Sequence, residues 1–124
     1  MESRSIYEWI DEITEIWQVM LEISRETELS ESELYILAPK AAIRKRDLPF
    51  NELNNQLAQE SALSSYQANL KLEKDLEYPI YAFSFCYIMA HFGLNKIDEK
   101  QAQNLLNELM INKQILYKRT SPLY

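Results

Sequence analysis

The chain reads as an all-α protein, a single-domain bundle of four to five helices over residues 1–124, built around a central hydrophobic helix at about 79–93. Three observations carry that expectation. Glycine occurs once, whereas hairpins and tight β-turns draw on residues that accept positive φ. The apolar share is 47% and the charged share 26%, a globular balance with enough length to enclose a core without disulfides or metals. Tyr78–Asn95, YPIYAFSFCYIMAHFGLN, is the longest stretch without a formal charge.

The elements follow in order. Ser5 is placed to cap a helix with an acidic first turn. Ile6, Trp9, Ile13, Ile16, Met20 and Ile23 recur every three or four residues, broadened by Ile10 and Trp17, which predicts a helix from about 5 to 26. Ser30 and Glu33 have capping-box spacing ahead of Leu34–Ala38. Pro39 disfavours helical geometry at Ala38, so this second helix is expected to be short unless the proline only kinks it. Ala41–Arg46 is then either a further helical turn or a loop. Asp47-Leu48-Pro49 reads as another helix start, with Pro49 in the first turn. From Pro49 to about Leu76, Phe50, Leu53 and Leu57 share one face and Leu63, Tyr66 and Leu70 another. That shift predicts one helix with a rotating face, or two with a break near 60–64.

The central helix opens at Pro79, whose fixed φ suits a first turn, and is expected to end with Gly93 in the left-handed conformation. Its apolar residues leave no polar face, so it must be surrounded by other helices or by lipid. Eighteen uncharged residues reach the lower bound of a spanning helix, about 17–25. The stretch nevertheless holds Pro79, Ser84, His91, Gly93, Asn95 and three tyrosines, and no basic cluster flanks it. A core helix is the reading adopted. Asp98 and Gln101, again at capping-box spacing, open a last helix to about 117 through Ala102, Leu105, Leu106, Leu109 and Met110. Ser121–Tyr124 reads as a tail.

Two stretches share a layout at an offset of 68 residues, consistent with paired helix-loop-helix pseudo-repeats. Val19–Ile23 and Tyr87–His91 end apolar helices; Leu29-Ser30 and Ile97-Asp98 follow a polar link; Glu33 and Gln101 come next, then Leu37 and Leu105. The layout resembles the helix-loop-helix units of TerB-like, tellurite-resistance-type domains, in which acidic loop residues are implicated in metal binding. Where that pattern expects Asp-Gly, this chain has Thr27-Glu28 and Asn95-Lys96. No functional residue transfers.

Charge is segregated. The formal net charge is −6, yet residues 1–33 hold ten acids against Arg4 and Arg25, and the remainder is slightly basic. This disfavours unspecific binding to nucleic acid or anionic lipid. A single cysteine excludes an intramolecular disulfide framework. The N-terminus lacks a basic start, apolar run and small-residue cleavage site, so a cytoplasmic location is expected.

Signatures of catalysis are weak. Cys86 and His91 lie about 140° apart around a helix, too far for a dyad. Both read as core residues, with the His91 ring nitrogens bonded locally. Zinc wants three or four N or S ligands, and helical di-iron sites use Glu-x-x-His pairs; neither set is present. Glu8-x-x-Asp11 and Glu12-x-x-Glu15 are similar to the acidic motifs that helical nucleotide pyrophosphohydrolases gather around magnesium on successive helices. Here both fall on one helix.

The sequence therefore predicts a non-enzymatic module without cofactor or metal that binds a protein partner, with a homo-oligomer as a further possibility. The candidate binding residues are Glu8, Asp11, Glu12 and Glu15, and the eight tyrosines and two tryptophans also suit an interface. The alternative is a nucleic-acid-binding regulator using Lys40, Arg44, Lys45 and Arg46. A second alternative is a metal-dependent enzyme using the helix-1 carboxylates.

Overall fold

The computed structural model describes residues 4–23, 31–70 and 79–120. Among them run six helices and no strand: α1 (Ile6–Ile23), α2 (Glu31–Lys45), α3 (Glu52–Leu70), α4 (Pro79–Gly93), α5 (Glu99–Ile111) and α6 (Lys113–Thr120). The fold is all-α, as the glycine-poor, periodic sequence predicts, with six helices rather than four or five. The expected cap at Ser30, the helical continuations over 24–26 and 71–76, the link at 27–28 and the tail at 121–124 lie outside the described residues.

The charge-free α4 is the hub. From Ile80 to His91 every side chain is buried, and one apolar cluster runs from Ile6 and Trp9 of α1 to Leu116 of α6. Its most extensive packing is with α3, then α2, while α1, α5 and α6 cover the remaining sides. Ser84 is tolerated in this interior because its hydroxyl donates to the Ile80 carbonyl at 2.7 Å.

α4 ends at Gly93 as expected, but Gly93 is not in the left-handed conformation. The left-handed residue is Asn95, φ 60°. Around it Lys96 N donates to His91 O (2.9 Å) and Asn95 N to Phe92 O (3.1 Å), a Schellman pair for which asparagine is an accepted centre. Gly93 instead permits a close crossing. A Cβ there would lie 2.6 Å from Ser61 Oγ and 2.9 Å from Ser61 Cβ, and closer still to the Leu57 carbonyl oxygen.

Of two other boundaries, the first resolves an open alternative and the second differs from expectation. α2 continues through Pro39 to Lys45. The proline ring is buried, and apolar burial offsets the lost backbone donor. The helix then closes as α4 does: Asp47 has φ 54°, with Leu48 N on Ile43 O (3.0 Å) and Asp47 N on Arg44 O (3.1 Å). Consequently α3 starts after Asn51, not at Pro49, and Asn51 Oδ1 accepts from Asn54 N at 2.8 Å. Within its described length α3 is unbroken across 60–64. The final helix does break, at Asn112, whose side chain donates to the Glu108 carbonyl at 2.8 Å and competes with helix continuation. Both other predicted caps form: Ser5 with Glu8, and Asp98 with Gln101 as a full capping box.

Candidate functional site

α1 lies on the bundle with Ile6, Trp9, Ile10, Ile13 and Trp17 inward. Its helical repeat then turns Tyr7, Glu8, Asp11, Glu15, Gln18 and Val19 towards solvent, all exposed. Tyr7 and Val19 are large apolar residues left 55% and 50% exposed. Three of the four predicted acids share this face. Glu8 closes the cap on Ser5, Asp11 pairs with Arg119 of α6, and Glu15 stands on the exposed strip between them and Val19.

Glu12 departs from that group. It borders the buried stripe, and its carboxylate turns inward with only 10% side-chain exposure. Oε1 and Oε2 accept from Arg4 at 3.0 and 3.3 Å. Oε2 also accepts from the Tyr87 hydroxyl at 2.6 Å and from Arg46 Nη2. Burial pushes this carboxyl up, but the hydrogen bonds from Tyr87 and Arg4 and the charges of Arg46 and Arg4 outweigh it, and the group sits below its ordinary value. The same surroundings, burial foremost and then the bond to Glu12, push the Tyr87 phenol well up.

The cluster extends into α4. Arg46 Nε donates to His91 Nε2 at 2.9 Å, and His91 Nδ1 lies 2.8 Å from the Tyr87 carbonyl. A guanidinium can only donate and a carbonyl can only accept, so the imidazole is neutral with its proton on Nδ1. Trp9 packs against this group from α1. Its ring meets the His91 ring edge-on at 4.8 Å, with the Arg4 and Arg46 guanidinium carbons 4.0 and 5.8 Å from its centroid. Tyr87 stands 4.7 Å from His91 and stacks with Phe83 at 6.0 Å. Arg46 reaches this place because the left-handed turn at Asp47 ends α2 just beyond it.

The basic segment is thereby divided. Lys40, Arg44 and Lys45 are exposed, while Arg46 is committed to Glu12 and His91 with 15% exposure. Among the tyrosines singled out by the sequence, Tyr7 is exposed, Tyr66 is fully buried and Tyr117 is half-buried; the Tyr35 side chain lies outside the described residues. Cys86 is buried, and desolvation pushes its thiol up to about 12, which keeps it protonated and unreactive at neutral pH.

Sequence reasoning missed Arg4 and Tyr87 as partners of Glu12 and Trp9 as the ring packed on His91, and found only half of the His91 environment. One signal was present: a histidine inside an otherwise apolar helix needs a partner for each ring nitrogen. Among the described residues, no three His, Cys, Asp or Glu side chains gather closely enough to hold a metal ion, and no helix is long and apolar enough to cross a membrane. Comparison with protein-family models, curated proteins and solved structures returned no match.

Proposed function

We propose that this chain is a binding module, acting without turnover, whose outer α1 face captures a basic protein partner. The observation that supports this most is the composition of that face. Glu8, Asp11 and Glu15 alternate along one helix side with Tyr7 and Val19, both at least half exposed. Carboxylates of this kind steer a cationic surface during encounter and raise the association rate, most at low salt. An exposed tyrosine and an aliphatic side chain supply the apolar contact that holds the complex once formed. Glu12 takes no part in the contact; it fixes the helix from behind, so the three remaining acids are presented in one orientation.

The test has two steps. A photo-crosslinking residue at Gln18, and as a control at Gln114 on α6, identifies the partner that touches the α1 face. Association rates are then measured for the wild-type chain and for Glu8→Lys/Glu15→Lys at about 50 and about 500 mM salt. The double reversal is expected to slow association about tenfold or more at low salt, and the two chains should converge at high salt. An unchanged low-salt rate removes the proposal.

A further inference from the structure

The Arg46–His91 contact joins two groups that can coexist only while the imidazole is neutral. Its Nε2 lone pair faces a guanidinium N–H at 2.9 Å, and its other nitrogen is turned to the Tyr87 carbonyl. The ring is fully buried, so it has no route to solvent without movement. Among the described residues, the charged and titratable groups seen around it include Arg46 from the end of α2, Tyr87 from its own helix, and Glu12 and Arg4 from α1, linked through Arg46 and Tyr87.

We propose that this contact is an acid-sensitive latch, in which a proton on His91 Nε2 expels Arg46 and loosens α1 from α4. The added proton sets an N–H donor against an N–H donor. It also adds a further cation to a buried group that already holds the Arg46 and Arg4 guanidiniums around Glu12. Arg46 is the side chain able to leave, since it retains some exposure and sits at a helix terminus. Its departure removes the group that joins Glu12 of α1 to His91 of α4. What opens is α1, which makes far fewer close backbone contacts with α4 than α2 or α3 does.

The direction with pH follows from linkage. The closed form excludes the proton, whereas the open form accepts it with the ordinary histidine affinity near pH ~6.5. Opening is therefore independent of pH above that value and increases about tenfold for each unit below it, one proton being taken up per opening. The device stands apart from the reading of the outer α1 face.

Amide hydrogen exchange, expressed as protection factors to remove the pH dependence of the chemical step, is followed in α1 and α4 between pH ~7.5 and ~4.5. Expected are lower protection in α1 than in α4, and a fall in α1 of about tenfold per unit below pH ~6.5. His91→Gln should abolish that slope. Arg46→Gln should flatten it, because the amide can turn its oxygen to a protonated Nε2. The wild-type chain decides independently of either variant's folding. Its only histidine gives a single pair of ring ¹⁵N signals, expected in the Nδ1–H form at neutral pH. The Nε2–H form, ring titration with unchanged α1 protection, or the same slope in His91→Gln would each overturn the latch.

Discussion

α4 meets its neighbours on two sides in opposite ways. Towards α3 the contact is close and made by small groups: Gly93 against the Leu57 carbonyl and Ser61, with Ala58 and Ala62 fully buried on the same helix. Towards α1 the space is filled by rings, Trp9 and Trp17 against Phe83, Tyr87 and His91, with an ionic cluster at one end. The first surface is governed by shape, so a change there acts by collision. The second is governed by satisfied charge, so a change there acts by leaving a group unpaired, and it responds to pH. This contrast orders the expected sizes of perturbation.

The largest effect belongs to the close side. Gly93→Ala places a methyl within 2.6 Å of Ser61 Oγ and nearer still to backbone oxygen, which side-chain rotation cannot relieve. Overpacking of this kind costs about 3 kcal/mol, and better helix propensity returns only about 1. A fall in Tm of about 10 °C is expected. An unchanged Tm would show that α3 and α4 can separate freely and would dissolve the distinction between the two sides.

Glu12→Ala tests the other side and ranks second. It leaves Arg4, Arg46 and the Tyr87 hydroxyl without their shared acceptor. Breaking a buried ion pair costs about 3–5 kcal/mol, but the guanidiniums keep 21% and 15% exposure and can turn to water. About 1.5 kcal/mol, between the exposed and buried limits and read by chemical denaturation, is the expected loss. The pH dependence carries a defined sign. The folded-state carboxyl lies below its ordinary value of about 4.5, so its stabilisation is complete above that pH and is lost as pH falls through the folded value. The gap between wild type and Glu12→Gln should hold steady from pH ~7 to ~5 and close below ~4.5. A gap that widens in acid would assign the cluster a different charge state.

The same contrast explains what the sequence discloses. α4 was legible because it is apolar all round, and the caps at Ser5 and Asp98 were legible because a cap is decided within four residues. At Gly93 two local rules compete. Glycine favours a helix end, but Asn95 takes the left-handed position, and the need for glycine comes from Ser61, thirty-two positions away along the chain. Pro39 leaves a stop or a kink open because its cost is local, whereas the burial that offsets it is tertiary. Glu12 sits where the polar and apolar arcs of α1 meet, and periodicity cannot choose between them. A cation from the end of α2 makes the choice. Arg46 looked like part of a surface cluster for the same reason: a run of bases carries no record of which one turns inward.

The smallest effect isolates burial itself. Asp11 and Arg119 form the same type of pair as Glu12 and Arg46, one helical position away on α1, but they remain 67% and 42% exposed. Water already solvates both charges, and ordering two long side chains offsets most of the attraction, so Arg119→Ala should change stability by less than about 0.5 kcal/mol. Its consequence lies in association. Removing the guanidinium frees Asp11 of its countercharge and makes the outer α1 face more negative, which should speed capture of a basic partner at low salt by about two-fold. If Arg119→Ala instead destabilises the chain as much as Glu12→Ala, exposure is not what separates the two pairs, and α6 fastens α1 as firmly as the buried cluster does.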